Sequence, residues 1–240
     1  MRLAVMQPYF FPYIGYFQLI TAADLFIVYD NIKYTKKGWI NRNRILQSGK
    51  GMTFSLPLKS ASDCLDICQR ELAADFRRDK LLNQFKGAYE HAPYFAQTFP
   101  VIEQIICHKE SNLFRFLYHS LVSICKHLGI TTQMQISSSI EIDHALRNKD
   151  KVLALCGALA AETYVNAIGG TALYSREPFA AAGIDLKFLS SRSFAYKQFG
   201  ASFIPCLSII DVLMFNDQEK IQTLILPDFE LVDGQPQGKA

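Results

Sequence analysis

Short apolar runs alternate with stretches of helical periodicity along most of the chain. Arg-Leu-Ala-Val-Met-Gln at 2–7 and Phe-Ile-Val-Tyr-Asp at 26–30 read as buried strands, because each run is brief and nearly all apolar. Between them Ile14, Phe17, Gln18, Thr21 and Leu25 recur at helical spacing, behind Pro12 where a helix would start. A strand–helix–strand unit of this kind predicts parallel neighbours joined by a right-handed crossover. Residues 39–46 alternate as a strand, 48–51 turn and 52–58 return, which predicts a hairpin.

Helices are predicted over 74–90 and 95–107, split by His91-Ala-Pro93-Tyr-Phe. A stronger one runs from Ser111 as N-cap to Leu128, with Gly129 as C-cap and Leu113, Leu117, Leu121, Ile124 and Leu128 as its buried stripe. A strand near 133–142, a helix at 149–161, a strand at 163–166, a Gly-Gly loop and a short helix follow. A strand at 184–189 and a helix near 208–215 complete the pattern. The expectation is an α/β fold, a Rossmann-like mostly parallel sheet with an inserted β-hairpin and a helical segment inserted at about 74–128. With no repeat and no dividing linker, the 240 residues read as one domain with a loosely ordered tail after 227.

Composition narrows the classes. Half of the residues are hydrophobic, which rules out disorder along most of the length. A net charge of +3 excludes a protein that coats polyanions indiscriminately. The six cysteines contain no Cys-x-x-Cys pair, and most, set in apolar company, read as small buried hydrophobes of a reducing compartment. No cleavage pattern follows the N-terminus and no apolar run is long enough to span a bilayer, so a cytoplasmic location is expected. The five histidines make no metal-ligand spacing and no metal site is assigned. P-loop, Gly-x-Ser-x-Gly, His-Glu-x-x-His and Gly-x-Gly-x-x-Gly motifs are missing.

Three stretches remain as carriers of chemistry. Met6–Gln18 covers the end of the first strand and the entry to the first helix, the place where ligands meet open parallel sheets. Of its six aromatics at 9–17, Phe10, Phe11 and Phe17 read as core, whereas Gln7, Tyr13 and Tyr16 are assigned to the mouth. From Lys33 to Lys59 stand seven Lys/Arg and no acid, including Lys36 and Lys37. If 39–46 is a strand, Trp39, Asn41 and Asn43 share one face and Arg42 and Arg44 the other. The two guanidiniums, roughly 6.6 Å apart by strand geometry, suit phosphates or a carboxylate; a soluble sheet edge is the alternative. Asn166–Tyr174 carries Gly169 and Gly170 between a strand end and a helix, a phosphate-cradling arrangement or a tight connection. Tyr174, Tyr196 and Gln198 add polar tips. Asp211, set among apolar residues, needs a partner, for which a cap or an arginine is expected.

The stretches MQPYFFPYIGYFQLI (6–20), YDNIKYTKKGWINRNRIL (29–46), FSLPL (54–58), APYF (92–95), YVNAIGGTALY (164–174) and SIIDVLMFN (208–216) resemble the WbqC-like family. Its members occur with bacterial O-antigen and other surface-polysaccharide genes, and glycine transfer has been suggested for some. The resemblance therefore implies transfer of an acyl or aminoacyl group to the amine of a nucleotide-activated amino sugar, with an activated acyl donor or an aminoacyl-tRNA as partner. On that reading Arg42, Arg44 and the Gly169-Gly170 loop meet the phosphates. Tyr13, Tyr16, Asn41 and Gln198 orient the sugar, and Asp30 is the general base. Many relatives carry Trp-x-x-x-His where Phe76 and Lys80 stand, so no role of that histidine carries over.

The opening also resembles, more remotely, nucleotidyltransferases with a His-x-Gly-His signature, Tyr13 and Tyr16 replacing the histidines. That likeness implies an enzyme using Mg-ATP, with Lys36 and Lys37 supplying the positive charge. A non-catalytic sugar-nucleotide binding subunit is the third reading.

Overall fold

A computed structural model describes residues 1–200 and 202–233. β1 (Arg2–Met6) leads through α1 (Ile14–Ala22) to β2 (Leu25–Val28). A hairpin, β3 (Arg42–Gln47) and β4 (Lys50–Ser55), and three helices, α2 (Arg78–Tyr89), α3 (Phe95–Cys107) and α4 (Leu113–Leu128), come before β5 (Gln133–Ile136). Then follow α5 (Asn148–Ala158), β6 (Thr163–Ala167), α6 (Arg176–Ala181), β7 (Asp185–Ser191), α7 (Ile209–Phe215) and β8 (Phe229–Val232).

The main sheet runs β5-β2-β1-β6-β7-β8, parallel throughout except for β8. The parallel strands, taken in chain order, lie third-second-first-fourth-fifth. The chain therefore reverses its direction of travel between β1 and β6, and diverging connections leave a crevice there. The two-residue period of the strands sorts their side chains into two layers. Leu3, Val5, Leu25 and Ile27 face α5 and α6, whereas Ala4, Phe26 and Val28 face α1 and the inserted helices. α1 lies inside that second layer, with every residue but Thr21 buried. Its buried Gln18 is satisfied on both sides, donating to the Ile225 carbonyl at 2.8 Å and accepting from Ser191 Oγ at 2.6 Å.

Several boundaries depart from the periodicity. Asn112, not Ser111, caps α4, accepting from the Arg115 N–H at 3.0 Å. Gly129 closes that helix in the left-handed region at φ 69°. α2 starts at Arg78 rather than 74 because residues 72–73 are held extended, their N–H groups donating to the Ser111 and Pro57 carbonyls. β5 stops at Ile136, where Ser137–Ser139 turn to bond Asp30. The expected loose tail is partly a strand, because Phe229–Val232 pair with the exposed edge of β7 and pack Phe229 and Leu231 on the core. Residues 234–240 of that tail lie outside the described residues.

The turn after β1 is held from two sides. Phe10 and Phe11 are fully buried, and Phe11 adopts φ 42°, which a bulky side chain rarely does. Asn43 Nδ2 donates to the Phe10 carbonyl at 3.2 Å and to the Phe11 carbonyl at 2.8 Å; Ser208 Oγ donates to the latter, also at 2.8 Å. The backbone of Ile209 donates to the Pro12 carbonyl, and that of Phe10 to the Ile40 carbonyl. The hairpin and α7 thus clamp one strained turn. Asn43→Ala leaves buried carbonyls short of a donor, and urea unfolding of the variant is expected to show a loss of about 2–3 kcal/mol. A loss under about 0.5 kcal/mol would show that the clamp is not needed.

Candidate functional site

At the carboxyl ends of β1 and β6 the crevice opens into a cavity of about 560 Å³. Gln7 leaves the end of β1, and its Nε2 donates to the Tyr9 hydroxyl at 2.9 Å, which leaves the Tyr9 proton free for a ligand. Burial raises the pKa of Tyr9 and Tyr13, and that of Tyr16 further, so all three are neutral donors at physiological pH. Tyr16 lines the cavity, but its hydroxyl is already given to the Gln7 carbonyl at 3.1 Å. Tyr13, 38% exposed, lays its ring over the first turn of α1. A Cβ at Gly15 would stand 2.4 Å from that ring, so only glycine permits the approach.

Asn166 and the Ile168–Gly170 turn form the opposite wall. Asn166 Oδ1 accepts from the Ala167 N–H at 2.9 Å, and its amide nitrogen lies against Gly170. A Cβ on Gly170 would meet that nitrogen at 2.3 Å, whereas Gly169 has nothing within 4 Å and opens on the cavity. Tyr174 and Tyr29 complete the rim; burial, with the nearby Tyr174 phenol, pushes Tyr29 up to about 12.

A second basin of about 850 Å³ shares Tyr29, Ile32, Leu173 and Tyr174 with the first. It lies on the β2 and β5 side, where Lys33 and Asp66 face each other across an antiparallel bridge and Arg147 and Lys149 stand at the start of α5. A smaller apolar recess of about 280 Å³ lies at the hairpin end, between Tyr9, Tyr13, Trp39 and Arg44.

Gln7, Tyr13, Tyr16, Trp39, Gly169, Gly170 and Tyr174 thus come together around one cavity, with Arg44 in the adjoining recess. The other sequence candidates stand elsewhere. β3 begins at Arg42, so Trp39 precedes the strand and does not share a face with Asn41 and Asn43; instead both arginines approach its ring, at 5.7 and 5.9 Å. Arg42 donates to the Gly38 carbonyl at 3.0 Å and to the Lys37 carbonyl, and Arg44 to the Cys206 carbonyl at 3.1 Å. Lys36 is ion-paired with Asp63 on the surface, and neither it nor Lys37 lines any of these three cavities. Asn41 accepts from the Tyr34 hydroxyl and donates to the Leu56 carbonyl, both at 2.8 Å.

Asp30 is 4% exposed; its carboxylate accepts from Ser137 Oγ at 2.7 Å, the Ser138 N–H at 2.9 Å and Ser138 Oγ at 2.7 Å. Both oxygens are engaged in shaping the turn after β5. Tyr196 and Gln198 serve Asp211, each donating to its Oδ2 at 2.6 Å, while Tyr89 donates to Oδ1 at 2.8 Å. The partners expected for Asp211, a cap or an arginine, are therefore two phenols and an amide.

Beside Lys33 of the basic stretch, residues that the sequence did not single out line the basin: Asp66, Arg147 and Lys149. Lys151 sits beneath, 1% exposed, with Nζ donating to the Asn31 carbonyl at 3.2 Å and lying 5.1 Å from the centre of the Tyr29 ring. Burial, and then the Arg147 charge, lower its pKa. A lysine on the apolar face of α5, beside Val152, Leu155 and Cys156, was the available signal.

A model of the WbqC-like protein family matches residues 7–223, nearly the whole chain. The chain belongs to the WbqC-like family. It is 28% identical over 219 residues to the uncharacterized protein Rv1507c of Mycobacterium tuberculosis, covering 90% of this chain and 93% of the relative. No solved structure matches it. Among the described residues no helix is long and apolar enough to cross a membrane.

Burial raises Asp211 above its ordinary 3.8, against the opposing pull of Tyr196, Tyr89 and Gln198. The protonated form therefore favours the native state. That contribution is complete below pH 3.8 and is lost as pH rises through the folded value. Asp211→Asn removes it, so the stability difference between wild type and variant, followed by urea titration, should turn against wild type as pH rises above 3.8. A difference that rises with pH would contradict the assignment.

Proposed function

We propose that this protein acts in bacterial surface-polysaccharide (O-antigen) biosynthesis, holding a nucleotide-activated amino sugar across the carboxyl edge of the sheet and transferring an acyl or aminoacyl group to its amine. The observation that carries the reading is the cavity at the β1/β6 reversal, continuous with a charged basin on one side and an aromatic recess on the other. Family membership supports the sugar-linked setting. Neutral hydrogen-bonding tips, Tyr9, Tyr13 and Asn166, suit sugar hydroxyls.

The reaction joins the sugar amine to the acyl carbon, breaks the bond from that carbon to the donor's oxygen or sulfur, and releases one proton from nitrogen. Asp30 is 4% exposed and both its oxygens accept hydrogen bonds from Ser137 and Ser138, which presents it poorly to an amine. Asp66, on the basin wall and in no ion pair among the described residues, is the better placed carboxylate. The donor's carrier leaves as thiol or hydroxyl.

The test is a thermal-shift and transfer assay with UDP- and dTDP-amino sugars, their hydroxyl analogues and Mg-ATP. Selective stabilisation by the amino sugars, with acyl transfer to the amine, is expected. Stabilisation by Mg-ATP alone would replace this reading with nucleotidyl transfer, and amino-sugar binding without turnover under any donor would leave a binding subunit. A Cβ at Gly169 would meet nothing within 4 Å, so Gly169→Leu is expected to hold the apo melting temperature and to abolish ligand stabilisation. Asp66→Asn should lower kcat by about 10²–10⁴-fold; unchanged kcat would remove Asp66 from the mechanism.

A further inference from the structure

The charged basin differs from the hairpin in one respect that decides where an anion would go. The hairpin guanidiniums are already turned to backbone carbonyls, Arg42 to Gly38 and Lys37 and Arg44 to Cys206. Around the basin Arg147 likewise gives Nη1 to the His144 and Leu146 carbonyls, at 3.1 and 3.2 Å, but Lys33 and Lys149 make no side-chain hydrogen bond and no ion pair among the described residues, although Lys36, Lys59, Arg77 and Lys187 elsewhere each hold a carboxylate. Beneath it lies Lys151, whose one recorded hydrogen bond is to the carbonyl of Asn31, a wall residue, and whose charge lies near the face of Tyr29, another wall residue.

A buried ammonium with one weak acceptor and no carboxylate bonded to it is costly to the fold. Its protonated form adds a positive charge under a concavity that already carries three. Two acids, Asp66 and Asp150, stand on the same walls. The basin is therefore not uniformly positive, and a ligand that bears an amine as well as an anion meets both signs.

We infer that this basin is the phosphoryl subsite, taking the diphosphate of a sugar nucleotide between Lys33, Arg147 and Lys149 over Lys151. This rests on the proposed function for the identity of the ligand, but not for the presence of an anion site. The shared Tyr29, Ile32, Leu173 and Tyr174 make the basin continuous with the switch-point cavity, so a diphosphate here leaves the nucleoside, with its ribose hydroxyls, over Gln7 and Asn166 and the amino sugar at the Asp66 wall. Guanidinium and ammonium groups on opposite walls can each take one phosphoryl group.

Calorimetric titration with inorganic pyrophosphate, UDP and uridine, at 50 and 200 mM NaCl, separates the cases. Pyrophosphate and UDP should bind and weaken with salt, with uridine at least tenfold weaker. The Arg147→Gln/Lys149→Gln variant, changed only at exposed side chains, should lose at least tenfold in UDP affinity and much of the salt dependence. Lys151→Met keeps the length and apolar contacts of the side chain. It should lose UDP affinity with no fall in melting temperature, whereas a purely structural lysine would lower the melting temperature and leave affinity intact. Arg42→Gln should stay within twofold of wild type.

No binding of UDP or pyrophosphate, or loss with Arg42→Gln instead of the basin variants, overturns the inference. If the basin binds pyrophosphate as described but no acyl transfer occurs, the subsite stands and the transferase reading falls. If wild type transfers and the basin variants bind and turn over equally well, the transferase stands and the subsite falls.

Discussion

The clamp on Phe10 and Phe11 is the constraint on which the site depends. A left-handed phenylalanine is held because one asparagine from the hairpin and one serine from the cap of α7 satisfy its carbonyl. That carbonyl belongs to the loop that carries Gln7, Tyr9 and Tyr13 to the cavity. Three segments far apart in sequence are therefore fixed relative to one another by a few buried hydrogen bonds. Such bonds contribute modestly when made and are expensive to lose, so the loop has little freedom to drift. The strain at Phe11 lies next to the residues that would meet a ligand, a common association in binding sites.

Asp211 extends the same support. Its carboxylate gathers Tyr89 from α2, Tyr196 and Gln198, and the Tyr89 hydroxyl also accepts from the Leu46 N–H at 2.9 Å. The inserted hairpin and helices are thereby tied to the loop between β7 and α7. A buried carboxylate with neutral donors alone is a poor source of stability, since its charge is desolvated without a countercharge. What it provides is geometry. Lys151 shows the opposite balance: it is buried with little compensation, and that imbalance lies directly below the basin where positive charge would be used.

The carboxyl edge of the sheet thus presents three chemically distinct compartments in a row. An aromatic recess by Trp39 comes first, then a cavity of neutral hydrogen-bonding tips at the chain reversal, then a basin of mixed charge. An elongated ligand with a planar end, a hydroxylated middle and an anionic segment matches that kind of order better than a compact one. The reversal between β1 and β6 is what makes room for it, because the connections on either side leave toward opposite faces of the sheet.

Some of this was legible in the residues themselves. The short apolar runs at 2–7 and 26–30 had to be interior strands, and the stripe from Leu113 to Leu128 ending at Gly129 had to be a helix, because burial imposes its period locally. Gln7, Tyr13 and Gly169-Gly170 were placed at the mouth by following strand ends alone. The partner of a polar side chain is another matter, since nothing local encodes it. Asn41, Asn43, Tyr196 and Gln198 carry the residue types of a binding site and act as staples; Asp30 has the type of a base and holds a turn. Lys33 and Arg147 line one basin although 114 positions separate them. Periodicity determined the elements, because water exclusion acts residue by residue. Only packing decided which polar groups were left free, because these hydrogen bonds join segments that are far apart in sequence.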